Sequence, residues 1–82
     1  MNSFVYILQC ADNTLYTGWT NDIPARIEAH NQGTGAKYTR GRGPVKLLYS
    51  EQHETKSAAM RREAEIKKLT RLEKFLLIGQ SE

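Results

Sequence analysis

Residues 3–10 constrain this chain more than any other stretch. Phe4, Tyr6, Leu8 and Cys10 alternate with Val5, Ile7 and Gln9, so both faces of the segment are apolar. A strand of that composition must be covered on both sides, which puts it at the centre of a sheet with a layer against each face. Ala11-Asp12-Asn13 reads as a turn, and residues 14–19 as a second strand folded back on the first. Loop length then decides where Tyr16 points. A two-residue loop at Asp12-Asn13 pairs Gln9 with Tyr16 and splits Tyr6 from Tyr16. A three-residue loop with Asn13 left-handed pairs Leu8 with Tyr16 and puts both phenols on one face. Asparagine tolerates that backbone, so the three-residue loop is the expectation, with Gly18 opposite Tyr6. A missing side chain there lets a backbone or a ligand approach closely.

Beyond the hairpin, Thr20-Asn21-Asp22 offers caps, and Pro24 suits the first turn of a helix from about Ile23 to about Asn31. Ile23 and Ile27 form its inward stripe; His30 falls between them in angle, and Arg26 lies one turn before His30 on the same flank. Gln32-Gly33-Thr34-Gly35 stops the helix, Ala36 to Thr39 suits a short helical turn, and Arg40-Gly41-Arg42-Gly43-Pro44 reads as a basic, flexible connection. Val45 to about Gln52 is a third strand, placed at an edge by Pro44, with Val45, Leu47 and Tyr49 expected on one side. Thr55 caps a helix to about Leu69. Thr70 and Glu73 have the capping-box spacing, so a short last helix follows to about Ile78, with Gly79 and the tail frayed. The expected fold class is α+β: a three-stranded antiparallel sheet flanked by helices in β-β-α-β-α order, as one domain over residues 1–82 with its core at about 3–78.

With 82 residues the core is thin, and with one cysteine, Cys10, neither an intrachain disulfide nor a thiol-based zinc site is possible. No leader and no long apolar run is visible, which places the chain in the cytoplasm by expectation. The net charge of +3 is unevenly spread. Residues 1–36 hold Asp12, Asp22 and Glu28 against Arg26, whereas Lys37, Arg40, Arg42 and Lys46 follow with no acid between them. A basic second half suits a polyanionic partner such as nucleic acid, as well as a solvated helix face laced with ion pairs.

One residue breaks the pattern of the long helix. With Ala59 at zero on a helical wheel, Ile66 falls at roughly −20° and Leu69 at roughly −80°, and Glu63 sits beside this apolar stripe at roughly +40°. An inward carboxylate costs several kcal/mol unless a cation, metal or donor offsets it. Taken singly, the tyrosines suit ordinary core, His30 suits packing, and Glu63 suits an ion pair with Arg26. Together, two phenols, an arginine, a histidine and one inward acid suit metal-assisted phosphodiester hydrolysis. That reaction needs a cation for the non-bridging oxygens, a base for water and a fixed donor on the phosphate. One carboxylate is enough for Mg²⁺, which keeps most of its waters.

Phe4-Val5-Tyr6 and Tyr16-Thr17-Gly18, followed by Arg26, His30 and Glu63 in that order, resemble the GIY-YIG nuclease superfamily. The runs His30-Asn31-Gln32-Gly33, Gly35-Ala36-Lys37-Tyr38-Thr39 and Arg62-Glu63-Ala64-Glu65-Ile66-Lys67 resemble its small stand-alone bacterial members. The resemblance implies a magnesium-dependent DNA endonuclease, with Mn²⁺ as a substitute ion, RNA still open as a substrate and DNA repair as a setting. Tyr6 would be the leading general base and Tyr16 would hold water or phosphate. Arg26 would brace the scissile phosphate, His30 would act as relay or second base, and Glu63 would bind the metal. Lys37, Tyr38, Arg40, Arg42 and Lys46 are the expected nucleic-acid contacts, with Tyr38 at the rim. Phe4 stands where the first motif has glycine. Trp19 stands where some relatives have lysine, and Phe75 lies near where some have asparagine. The rival readings are a binding module that cuts poorly and a catalytic subunit that needs a protein partner for specificity.

Overall fold

The computed structural model describes residues 2–80. Its elements run β1 (Ser3–Gln9), β2 (Leu15–Thr20), α1 (Ile23–Asn31), β3 (Lys46–His53), α2 (Lys56–Lys67) and α3 (Arg71–Gly79). The sheet is antiparallel with order β2-β1-β3, so the doubly apolar strand is central. Val5 and Ile7 face one layer, where they pack with Ala59 and Ile66 of α2 and, at the margin, Trp19, Tyr49, Leu69, Leu77 and Ile78. Tyr6 and Leu8 face the other layer with Cys10, Val45, Tyr16 and Ile27 of α1. The double alternation of the sequence is thus the two-sided core itself.

The hairpin has the longer loop. Asn13 sits at φ 67°, Cys10 N–H donates to Thr14 O at 2.9 Å, and Leu8 pairs with Tyr16 and Tyr6 with Gly18. The Asp12 carboxylate accepts from the Thr14 hydroxyl and backbone N–H, holding the turn that sets this register.

The third strand departs from expectation. Ile7 pairs with Tyr49 but Leu8 pairs with Leu47, so Leu48 is an extra residue, a β-bulge. The bulge reverses which face the strand presents: Val45 packs with Tyr6 and Leu8, whereas Tyr49 packs with Val5 and Ile7, and Leu47 is 37 % exposed. Val45, Leu47 and Tyr49 therefore do not share one side. Beyond the bulge, Tyr49 and Glu51 pair opposite Ile7 and Val5, on the α2 side. There Glu51 accepts from the Tyr49 hydroxyl at 2.5 Å and from Arg62 Nε at 2.9 Å, and lies 2.6 Å from His53 Nε2. Burial alone would raise the Glu51 pKa, but these hydrogen bonds and the Arg62 charge hold it below the ordinary carboxylate range. The Arg62 contact fixes the roll of α2 against the sheet one residue before Glu63.

Asp22 caps α1, Thr55 caps α2, and Thr70 with Glu73 forms the capping box that starts α3. Gly79 is helical rather than frayed, because Gln80 N–H closes the last turn on Leu76 and Leu77 carbonyls; the tail beyond it lies outside the described residues. The α1–β3 connection forms one hydrogen-bonded turn at Lys37–Arg40, a residue beyond the turn expected at Ala36 to Thr39. It is also tied down. Ala11 N–H donates to Arg42 O at 2.7 Å, Asn31 Oδ1 accepts from Val45 N–H at 2.7 Å, and Arg42 pairs with Asp12.

Candidate active site

The hairpin register places Tyr6 and Tyr16 side by side on the α1 face, ring centroids 6.4 Å apart. Gly18 is what lets them meet. A Cβ at that position would stand 2.5 Å from Tyr6 Oη, 2.7 Å from its Cζ and 3.1 Å from Tyr16 Cε2. Tyr6 cannot retreat, being 2 % exposed and hydrogen-bonded. Gly18→Ala is therefore expected to overpack the site and lower stability by about 1–3 kcal/mol, read as a drop in the urea midpoint.

His30 is the only buried side chain of α1 and is 1 % exposed. Its Nε2 lies 2.9 Å from Tyr6 Oη, and its Nδ1 lies 2.7 Å from Thr39 Oγ1. Tyr16 packs edge-on against the same imidazole, and Tyr38 stacks on Tyr16 with Arg42 4.6 Å above the Tyr38 ring. Burial, then the Arg26 charge, lowers the His30 pKa, so the imidazole is neutral at pH 7. An unfolded His30 binds a proton as pH falls below about 6.5, whereas the folded one resists until lower pH. The contribution is thus complete above that value and is lost as pH falls from it to the folded pKa. Urea midpoints should fall over this window in the parent, and fall less in His30→Gln.

Arg26 joins the same cluster. Burial raises the Tyr6 pKa, hydrogen bonding and charge from Arg26 oppose that, and the charges of Tyr16 and Glu63 add to the rise. Arg26 also lines an open cleft of about 260 Å³ with Trp19, Thr20 and Asn21. Its buried Nε–H has no hydrogen-bond partner among the described residues. A guanidinium that lines an open cleft and acts on a neighbouring phenol is suited to an oxyanion.

Glu63 comes from the opposite layer, on α2, yet its charge reaches the Tyr6 phenol. Its side chain is 19 % exposed, and among the described residues its one ion pair is with Lys67, at 3.8 Å and 52 % exposed. The carboxylate is therefore half-sunk and weakly matched. No group of three or more His, Cys, Asp or Glu side chains could cage a metal among the described residues. The donor set fits a hydrated Mg²⁺ held by one carboxylate, and does not fit an ion that demands a full protein cage.

The expected nucleic-acid contacts divide. Lys37, Tyr38, Arg40 and Lys46 are exposed. Arg42 is engaged with Asp12 and with the Tyr38 ring, so it shapes the rim as much as it offers charge. Sequence reasoning did not single out Thr39, which is fully buried against His30, or Gly35, where a Cβ would lie 2.6 Å from His30 Nδ1. The only signal for them was their place in the loop after His30.

Residues 2–75 match the GIY-YIG catalytic domain. A UPF0213 protein of Clostridium perfringens is 63 % identical over 77 residues, covering 94 % of this chain and 83 % of its own length. One of Staphylococcus aureus is 57 % identical over 77 residues, covering 94 % of both. The solution NMR structure of a UPF0213 protein from Bacillus halodurans aligns with TM-score 0.63 and 49 % identity, over 98 % of this chain and 85 % of that one. A second NMR structure, of a protein from E. faecalis, aligns with TM-score 0.63 and 38 % identity over 100 % and 90 %. With the motif tyrosines, Arg26 and Glu63 where the fold has placed them, this chain belongs to the GIY-YIG catalytic domain family.

Proposed function

We propose that the protein is a magnesium-dependent DNA endonuclease that acts in the cytoplasm as a single domain. The observation that carries this reading is the double engagement of Arg26. Its charge favours the Tyr6 phenolate, and the residue lines an open cleft in which its guanidinium would brace a scissile phosphate. Tyr6 is the general base, Tyr16 holds the water or phosphate, and His30 takes up the Tyr6 proton at Nε2. Glu63 is the residue that would hold the divalent ion, which when bound would offset negative charge on the non-bridging oxygens. Burial keeps Tyr6 protonated in the resting protein, so its proton leaves only when a neutral His30 is there to take it and Arg26 is there to stabilise the phenolate. Lys37, Arg40 and Lys46, with Tyr38 at the rim, bind the backbone through charge, without reading sequence.

The family is typically one of endonucleases, which supports the reaction class. Branched, flapped, nicked, single-stranded and duplex DNA, with RNA alongside, would be incubated with Mg²⁺ or Mn²⁺ and with EDTA. Strand scission with either ion, abolished by EDTA, is the expected result. Binding in both conditions without scission would replace the reading with a binding module. A second reading, a catalytic subunit completed by a protein partner, is favoured by Leu72 and Leu76. They stand 69 % and 60 % exposed one turn apart on α3. Scission that appears only with a co-purified protein would favour it.

A further inference from the structure

We propose that Thr39 is a positioning residue that fixes the tautomer of His30, and through it the direction in which the Tyr6 hydroxyl points. The inference deepens the reading of His30 as proton acceptor and rests on that reading for its catalytic consequence.

The hydrogens around His30 can be counted. A threonine hydroxyl has one proton to donate and lone pairs to accept with. Thr39 Oγ1 lies 3.2 Å from the Ala36 carbonyl and 2.7 Å from His30 Nδ1. The carbonyl can only accept, whereas Nδ1 can donate or accept, so giving the hydroxyl proton to the carbonyl is the arrangement that satisfies every group at once. Oγ1 then faces Nδ1 with a lone pair, and Nδ1 must carry the imidazole hydrogen. A neutral imidazole has one N–H, so Nε2 is bare. Tyr6 Oη, 2.9 Å from Nε2, therefore donates to it. The chain of donors runs Tyr6 O–H to His30 Nε2, His30 Nδ1–H to Thr39 Oγ1, and Thr39 O–H to Ala36 O. The opposite tautomer would turn the interaction round. Nε2–H would donate to the phenol oxygen, Tyr6 would keep its proton, and a phenol bonded that way is no base.

Two features show that the arrangement is built. Thr39 is fully buried although it stands in a loop between exposed Tyr38 and Arg40. Gly35 lets the loop close over the imidazole, since a side chain there would collide with His30 Nδ1, Cγ and backbone N within 2.8 Å. In the reaction step, the Tyr6 O–H bond breaks, an N–H bond forms at His30 Nε2, and the imidazolium so made keeps its Nδ1–H on Thr39. The phenolate then takes a proton from the attacking water as the water oxygen bonds to phosphorus. The ester P–O bond breaks, the leaving alkoxide takes a proton from solvent, and the imidazolium returns one to solvent, so protons and charge balance.

The test is ring ¹⁵N NMR of the protein without metal or substrate, with His30 told apart from His53 by His53→Gln. The parent should show His30 in the Nδ1–H form at neutral pH. Thr39→Val keeps the branched shape without the hydroxyl, and should move the equilibrium at least about tenfold toward Nε2–H. Thr39→Ser should restore the parent signature. In cleavage assays Thr39→Val should lower kcat by about 10- to 100-fold with KM little changed, as when an orienting partner is taken from a functional histidine, and Thr39→Ser should recover it. An Nε2–H signature in the parent overturns the inference without any variant, and so does an unchanged tautomer in a folded Thr39→Val protein. Loss of cleavage in the parent with the Nδ1–H signature intact would instead overturn the nuclease reading and leave the tautomer assignment standing.

Discussion

Glu63→Gln protein is expected to fold and to bind DNA like the parent, and to cut it about 10²- to 10³-fold more slowly in Mg²⁺. The amide keeps the size of the side chain. The contact it gives up, to exposed Lys67 at 3.8 Å, is an i,i+4 surface pair, worth about 0.3–0.5 kcal/mol at most. Thermal and urea midpoints should therefore barely move. The sign of the rate effect separates two roles. The Glu63 charge raises the Tyr6 pKa. If the carboxylate acted only by its field on the phenol, its removal would favour phenolate and speed the reaction. A slowed reaction therefore points to a ligand for the cation, and raising Mn²⁺ or Mg²⁺ concentration should recover part of the rate. Parent-rate cleavage by purified Glu63→Gln would remove Glu63 from the mechanism.

How much of this could be read beforehand depended on whether a residue leaves a periodic mark. The Tyr6–Tyr16 juxtaposition was legible because one loop residue decides it and Asn13 is among the few that accept positive φ. The anomaly of Glu63 was legible because a charge beside an apolar stripe breaks a helical period. The bulge at Leu48 was hidden by its neighbour: Leu47-Leu48 has no polar partner to reveal an inserted residue, so the alternation appeared to continue through it. Glu51 was hidden differently. Tyr49, Glu51 and His53 occupy the same face at period two, but an acid on an edge strand reads as solvated until Arg62 of α2 is brought over it. Arg62 in turn sets the roll that carries Glu63, so a contact invisible in sequence supports a residue that was visible. Thr39 left no periodic mark, only its place in the loop after His30, since its role comes from loop closure across Gly35.

Tyr6→Phe should separate the two phenols, of which Tyr6 was expected to be the leading base and Tyr16 to hold water or phosphate. The ring fills the same space, so the core of Leu8, Cys10, Val45 and Ile27 stays packed. What disappears is the donor to His30 Nε2. A buried acceptor left without a partner costs about 1–3 kcal/mol, so the urea midpoint should fall, and strand scission should fall about 10²- to 10⁴-fold with the loss of the base. Tyr16→Phe removes a hydroxyl from a half-buried ring for which no hydrogen bond is seen among the described residues. Its stability should change little, and its cleavage defect should appear chiefly as weaker engagement of water or phosphate. The pH–rate profile supplies the cross-check. In the parent, scission should fall at low pH, as protonation of His30 removes the Nε2 lone pair that receives the Tyr6 proton. Because His30 is held below its usual pKa, that fall should begin under the ordinary imidazole range. Residual activity in Tyr6→Phe should no longer follow that limb. Parent-rate cleavage by Tyr6→Phe alongside an inert Tyr16→Phe would transfer the base to Tyr16 and reduce the Tyr6–His30 pair to packing.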